Sequence, residues 1–329
     1  MALYLPDLDR ARLHSRHHSY RSIIVISFLT ITFPALLGCS RAQSQALTAA
    51  TKPAPLEFLD EWGVRGTEPG QFENPTGPAM DPVGRVYVAD RATGFVQKFE
   101  ATGVPLLSFG NAAARTADSI AVDSGGAIYV ANSRAGTIQI FFPQGEPLRV
   151  MRIAPQRKAE GAFTFSIDSE GKIYVPDPAG SRVQVLSSKG QLLRIWRISP
   201  GEAEKAAHPF AAVADGDAVY VGDAANGRIL KFNRSGQQSA VFANPSPGDG
   251  SQLLSLAVAA KQLCVLRGFP LRLEVWSEDG RRKVPDALGD RLSEVKSAAY
   301  LAGDAAGDLI VLNPESRRVL HFRAHSEVP

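Results

Sequence analysis

Cysteine is nearly absent from this chain, because its 329 residues include only Cys39 and Cys264. A fold held by several disulfides and a metal site built from paired cysteines are therefore excluded. An excess of either charge is also missing, since 36 basic and 33 acidic residues give a formal net charge of +3. With 44% hydrophobic residues, the chain is not of the disordered type and has enough length for a large core.

The small positive charge lies mostly at the start of the chain. Four arginines and two aspartates precede Cys39, which leaves 32 basic and 31 acidic residues for the rest. An overall basic charge of the kind that neutralises phosphates is therefore missing, and a local basic patch stays open. We expect no nucleic-acid partner.

Residues 22–37, SIIVISFLTITFPALL, form a mainly apolar run without a charged residue, and they follow the basic segment that ends at Arg21. Its 16 residues fall short of the roughly 20 that a membrane-spanning helix needs. A basic start, a short apolar stretch and a small residue at the end are typical of a secretory signal. The sequence therefore predicts a signal peptide over residues 1–38.

The end of this segment, Leu36-Leu37-Gly38-Cys39, resembles the lipobox of bacterial lipoproteins. The resemblance implies cleavage before Cys39 and attachment to the membrane through the acylated Cys39, where several acyl chains give stable anchoring. The following Ser40 implies, by the same resemblance, the outer membrane, with the protein facing the periplasm or the cell surface. Residues 39–55 are small, polar and proline-bearing, and predict a flexible tether.

One pattern then repeats six times. Short β-rich runs are centred on residues 87, 129, 174, 220, 264 and 310, which are 42 to 46 residues apart. A second β-rich run, such as FVQKF at 95–99 and RVLHF at 318–322, recurs with the same spacing. Alternating apolar residues and Gly, Asp and Ser turns divide each unit into four strands. The repeat predicts an all-β fold, a six-bladed β-propeller over residues 56–329.

The sixth unit lacks a fourth strand before the chain ends, and Leu56–Gly63 matches the missing strand. We therefore expect an N-terminal strand to complete the last blade and close the ring. The turn after the second run carries a glycine at 103, 145, 190, 236 and 280, where a positive φ is expected.

Residues 70–99, GQFENPTGPAMDPVGRVYVADRATGFVQKF, resemble the NHL repeat. Unit 5 departs from the pattern, with Cys264 in place of Tyr and Arg267 in place of Asp or Asn. The resemblance implies a platform for binding protein or RNA, or, in a minority of cases, an enzyme, because this fold alone does not decide function.

The connections between blades and the loops between second and third strands are expected on one face, around the central shaft. A ligand is expected there, because loops on a rigid scaffold diverge freely. The candidate binding residues of this face are Asn74, Arg91, Asp118, Arg134, His208, Arg267 and Glu294. The Asp or Asn that ends each second strand is expected to bond the loop backbone instead, and the repeated tyrosines are expected to pack between blades.

These observations favour a cell-envelope scaffold, anchored by lipid, that binds a protein or an envelope polymer. The alternative is a metal-assisted lyase or hydrolase with its site on the loop face. Lyases that resemble this repeat use histidines and a metal near the shaft, but beyond the leader only His208, His321 and His325 are present. We predict no catalytic residue and no bound cofactor, and a divalent metal stays open as part of the alternative.

Overall fold

The structure is a computed structural model that describes residues 56–110, 114–153, 163–200, 205–242, 252–268, 271–284, 286–288 and 300–325. The chain divides into two units, Met1–Ala49 and Ala50–Pro329, and all described residues belong to the second. The predicted signal peptide, Cys39 and the tether lie outside the described residues. Within the described part of the chain, no helix is long and apolar enough to cross a membrane.

The described part of the second unit contains six four-stranded antiparallel sheets, which are the blades. The strands of each blade are given below from the innermost to the outermost. Blades 1 to 3 contain β4 (Pro75–Met80), β5 (Val86–Asp90), β6 (Phe95–Phe99) and β7 (Pro105–Phe109); β8 (Ser119–Val122), β9 (Ile128–Asn132), β10 (Thr137–Phe141) and β11 (Pro147–Arg152); and β12 (Ser166–Ile167), β13 (Ile173–Asp177), β14 (Arg182–Leu186) and β15 (Leu192–Arg197).

Blades 4 to 6 contain β16 (Pro209–Asp215), β17 (Ala218–Asp223), β18 (Arg228–Asn233) and β19 (Gln238–Phe242); β20 (Gln252–Ala259), β21 (Gln262–Gly268), β22 (Arg272–Trp276) and β23 (Arg282–Val284); and β24 (Tyr300–Gly303), β25 (Asp308–Asn313), β26 (Arg318–Ala324) and β1 (Leu56–Trp62). A short parallel pair, β2 (Val64–Arg65) and β3 (Gln71–Phe72), and two 3₁₀ turns, Ala114–Thr116 and Pro178–Gly180, complete the described elements. The prediction of an all-β six-bladed propeller is confirmed.

The ring is closed by the N-terminal strand, as the sequence predicts. Strand β1 pairs antiparallel with β26, so that Phe58 lies opposite Phe322 and Trp62 lies opposite Val319. The Trp62 ring also lies 4.4 Å from that of Phe99 in blade 1. The closing strand therefore joins the last blade to the first.

The apolar core is divided among the spaces between neighbouring blades. Tyr87 of blade 1, for example, packs with Ile128 and Phe141 of blade 2, and Tyr174 of blade 3 packs with Val219 and other residues of blade 4. The expected packing of tyrosines between blades is confirmed. Because each blade completes its core with the next one, all six have to close together.

In blades 1 to 5, a glycine in the turn before the outer strand allows close contact with the preceding blade. Gly103, Gly145, Gly190, Gly236 and Gly280 all have φ between +82° and +88°, which confirms the expected positive φ. Each glycine also faces a large side chain of the preceding blade. A Cβ placed on Gly236 would lie only 2.2 Å from Nε1 of Trp196.

This double constraint predicts a difference between two glycines with the same φ. Gly236 and Gly70 both have φ +86°, but a Cβ on Gly70 would meet nothing within 4 Å. Both Ala substitutions share the backbone cost of about 1–2 kcal/mol. Gly236→Ala is expected to lower the free energy of unfolding by about 1–3 kcal/mol more than Gly70→Ala, because it overpacks the Trp196 contact. Urea unfolding of the two variants measures this difference, and equal losses would show that the contact does not matter.

Candidate functional site

The six described candidates of the loop face lie at or beside the ends of strands on the face where blades are connected. Asn74 and Arg134 are exposed, whereas Arg91, Asp118 and His208 are partly buried. Arg267 is fully buried, which places its side chain inside blade 5 rather than on the loop surface. Glu294 lies outside the described residues. The binding role of this face stays a prediction.

Two of these candidates form a bridge between blades 1 and 2. The Arg91 guanidinium donates to Asp118 Oδ1 at 2.7 Å and to the Ala117 carbonyl at 2.6 Å. The other Asp118 oxygen accepts from the backbone N–H of Ser133 at 2.6 Å and from its hydroxyl. Both side chains are thus engaged in holding the loops of adjacent blades together.

The carboxylates that end second strands are also used by the scaffold. The buried Asp90 accepts hydrogen bonds from the backbone N–H groups of Glu73, Asn74, Ala92 and Thr93. Asp223 accepts from the backbone N–H of His208 at 2.9 Å and from Arg228 Nε at 3.0 Å. The expected role in fixing the loop backbone is confirmed for these residues.

Blade 5 contains a buried ionic cluster where the other blades have an aspartate or an asparagine. Arg267 Nε donates to Glu274 Oε2 at 3.0 Å, and both side chains are 0% exposed. The same Oε2 accepts from Trp276 Nε1 at 3.1 Å, and Arg282 lies 3.3 Å from Oε1. The positions equivalent to Arg267 and Glu274 are Asp177 and Gln184 in blade 3. The acidic residue is therefore on the second strand in blade 3 and on the third strand in blade 5.

A central cavity of about 480 Å³ opens at the opposite face of the propeller, among the turns that join first and second strands. Its lining includes residues from all six blades, which places it on the central axis. The walls are mainly apolar and include Phe165, Val213, Leu256, Val258 and Leu301. Sequence reasoning did not select this cavity, because it directed attention to the loops at the other end of the strands.

Four aspartates lie around the mouth of this cavity, and they differ in their bonding. Asp81 and Asp168 each hold backbone N–H groups with one oxygen and a tyrosine hydroxyl with the other, at 3.0 and 2.8 Å. Asp304 Oδ1 accepts from the backbone N–H groups of Gly307 and Asp308, and Asp304 bonds no tyrosine among the described residues. Burial raises the pKa of Asp304. The pKa of Asp215 is raised mainly by burial and, to a smaller extent, by the nearby charge of Glu278.

The sequence shows which of these aspartates can pair with a tyrosine of the same blade. The aspartate stands six residues before the tyrosine in blades 1 to 3, as in Asp81 and Tyr87. Blade 6 keeps Asp304 but has Ile310 at the tyrosine position, and blade 5 has neither residue. The mouth of the cavity is therefore asymmetric.

The outer strands of blades 2 and 3 form a second feature, which we call the outer rim. It consists of the exposed residues of β11 and β15: Pro147, Leu148, Arg149, Val150, Arg152, Leu192, Leu193, Arg194, Ile195 and Arg197. Val150 is 60% exposed and Leu192 54% exposed. Each strand is the last of its sheet, and its outer edge pairs with no other strand among the residues described.

The described residues contain no group of three or more His, Cys, Asp or Glu side chains placed to hold a metal ion. Cys264 is fully buried, and burial raises the pKa of its thiol to about 12. The metal-assisted lyase or hydrolase stays an untested alternative.

Comparison with protein-family models gives no match, and comparison with curated proteins gives none. Comparison with solved structures gives many propellers of low sequence identity. The β-propeller domain of Cps50 (Swd1) from Myceliophteria thermophila is similar with a TM-score of 0.59 at 10% identity, over 82% of this chain and 100% of that one.

Virginiamycin B lyase from Staphylococcus aureus is similar with a TM-score of 0.57 at 12% identity, over 82% of this chain and 99% of the lyase. The WD40 β-propeller domain of Doa1 is similar with a TM-score of 0.52 at 11% identity, over 82% and 97% of the two chains. A lyase and the propeller domains of two other proteins thus occur together at similarly low identity. These likenesses show the fold, a six-bladed β-propeller, and leave its function to be argued from its own residues.

Proposed function

We propose that this protein is a binding scaffold of the bacterial cell envelope. In this proposal, its NHL-type propeller is carried by a lipid anchor at Cys39 and a tether of residues 39–55, at the outer membrane. Its partner is a protein or an envelope polymer and not a nucleic acid. The anchor restricts the search to partners near the membrane and raises their effective concentration.

The observation that carries the proposal is the outer rim. Apolar side chains on a monomeric protein surface are ordinary when scattered, but a contiguous patch indicates an interaction site. Val150 and Ile195 occupy the same position in blades 2 and 3, opposite Gln139 and Gln184 of the neighbouring strands. Blade 1 has the polar Ser108 at that position. Blade 4 has Val241, 46% exposed, at that position. The apolar character therefore extends over blades 2 to 4 and is missing from blade 1 at this position.

The charge of the rim indicates the chemistry of the partner. Arg149 donates to the backbone carbonyl of Ser188, and Arg194 donates to that of Ser235. Each bond reaches the next blade and holds an outer strand against it. Arg152 and Arg197 add further exposed positive charge at the ends of these strands. An extended protein segment with apolar and acidic side chains fits such a surface, since its backbone pairs with an open strand edge.

Site-specific photo-crosslinking in the cells that produce the protein tests this function. A photoreactive amino acid at Val150 or at Ile195 of the full-length chain is expected to give a discrete adduct. The same amino acid at Ser108 is the matched control, because Ser108 is exposed on the equivalent strand of blade 1, and it is expected to give no adduct. No adduct from the rim, or the same adduct from all three positions, would contradict the proposed docking surface.

The anchor is tested in the same experiment by adding Cys39→Ala. The variant is expected to leave the membrane fraction, because the acylated residue is lost, and to give less adduct. Unchanged membrane retention would overturn the lipid anchor while leaving the docking surface to be judged on the crosslinks alone.

A further inference from the structure

The central cavity has the composition of a small-molecule site. Ligand pockets measure roughly 300–1,000 Å³ and combine mainly apolar walls with a few converging polar groups. The cavity of this propeller has about 480 Å³ and apolar walls from the first strands of all six blades. It belongs to the face opposite the predicted binding loops.

The polar groups at its mouth are unequal in their capacity to bind a ligand. Asp81 and Asp168 are saturated, since each uses both oxygens for donors of its own blade. The second oxygen of Asp304 has no tyrosine to bond, because Ile310 occupies that position and is fully buried. Among the described residues, no donor reaches it.

Asp215 in blade 4 is free of hydrogen bonds for a different reason. It stands five residues before Tyr220, one fewer than in blades 1 to 3, so the turn is shorter. Within the described part of the chain, its carboxylate accepts no hydrogen bond, although Glu278, Lys261 and Lys231 act on it electrostatically. Blade 5, between these two blades, contributes Lys261 to the cavity lining.

The charges around the mouth favour a cation. Asp81, Asp168, Asp215 and Asp304 line the cavity together with Lys261 and Arg234. Arg234 is already paired with Glu170 at 2.5 Å, and lies 3.5 Å from the exposed Asp217. Two carboxylates with unused acceptor oxygens therefore stand at the entrance to an apolar chamber, one in blade 4 and the other in blade 6. Burial raises the pKa of both, which is typical of functional sites.

We propose that this cavity binds a small amphiphilic amine, with its apolar body among the first strands and its ammonium group at the mouth, attracted by the charges of Asp215 and Asp304. The apolar walls bury the body of the ligand, and the two carboxylates favour a cation over a neutral or anionic head group. The site is separate from the outer rim, so a small molecule and a protein partner occupy the propeller at once.

Three probes with one apolar body test this site on the purified full-length chain: 4-phenylbutylamine, 4-phenylbutanol and 4-phenylbutyrate. Titration followed by ligand-observed NMR is expected to show the amine binding about tenfold more tightly than the alcohol, since a hydrogen bond to a charged group contributes that much. The anion is expected to bind most weakly. Equal binding of the three probes, or no binding of any, would overturn the proposal.

Four variants locate the binding. Asp215→Asn and Asp304→Asn are each expected to weaken the amine about tenfold while leaving the alcohol unchanged. Ala305→Trp, at an exposed position of the lining, is expected to exclude all three probes. Asp217→Asn is the matched control, because the Asp217 side chain is 99% exposed. This variant is expected to bind the three probes as the original chain does. Unchanged amine affinity in Asp215→Asn and Asp304→Asn would place the amine elsewhere and refute the site.

Discussion

Replacing Glu274 by alanine is expected to lower the free energy of unfolding by about 3–5 kcal/mol, because it leaves a buried cation without its partner. Arg267 and Glu274 are both 0% exposed and lie 3.0 Å apart. The loss also removes the acceptor of Trp276 Nε1 and the carboxylate that faces Arg282. Urea unfolding followed by circular dichroism measures the change.

An exposed ion pair of the same blade supplies the control for this prediction. Arg281 and Asp279 lie 3.3 Å apart, with side chains 87% and 58% exposed. Surface pairs of this kind contribute little, so Asp279→Ala is expected to change stability only slightly. Similar losses in Glu274→Ala and Asp279→Ala would mean that the buried cluster does not hold blade 5 together.

Trp62→Ala is the second substitution with a large expected effect, a loss of about 3–5 kcal/mol, which is usual for removing a buried indole. The ring packs 4.4 Å from that of Phe99, and its Nε1 donates to the carbonyl of Ala101 at 3.3 Å. Because Trp62 belongs to the closing strand but contacts blade 1, its loss weakens the joint of the ring. Thermal unfolding of the purified full-length chain gives the size of the effect.

The neighbouring Glu61 provides a matched control on the same strand. It is exposed, and its carboxylate lies 3.8 Å from Arg318, so Glu61→Ala is expected to change stability little. A normal melting temperature in Trp62→Ala would contradict the role of the closing strand in stability.

Repetition made the fold predictable from the sequence. Six copies of one strand pattern reveal the spacing even where single residues vary, and Leu56–Gly63 was recognisable because a strand was missing at the other end. The turn glycines and Asp90 were predictable for a local reason, since their roles depend on a few residues nearby in the chain. Tyr87 was predictable as a core residue because a tyrosine recurs at the centre of the same β-rich run in blades 1 to 4.

The candidate site was less accessible to the same reasoning. The repeat places Arg267 in a loop of the candidate face, but its side chain is buried against Glu274 of the next strand, which compensates for the change from Asp or Asn. The cavity depends on how six first strands meet at the axis, which no single unit reveals. The asymmetry of its mouth follows from two small differences, Ile310 in place of tyrosine and a turn shortened by one residue before Tyr220.

Hydrogen exchange of the purified full-length chain tests the closed ring most directly. If β1 completes blade 6, the amides of Leu56–Trp62 that pair with Arg318–Ala324 open only when the whole propeller unfolds. Their opening free energies then equal those of the buried strand Val86–Asp90. Exchange of Leu56–Trp62 through a much smaller opening free energy, with Val86–Asp90 still protected, would contradict closure of the ring by the N-terminal strand.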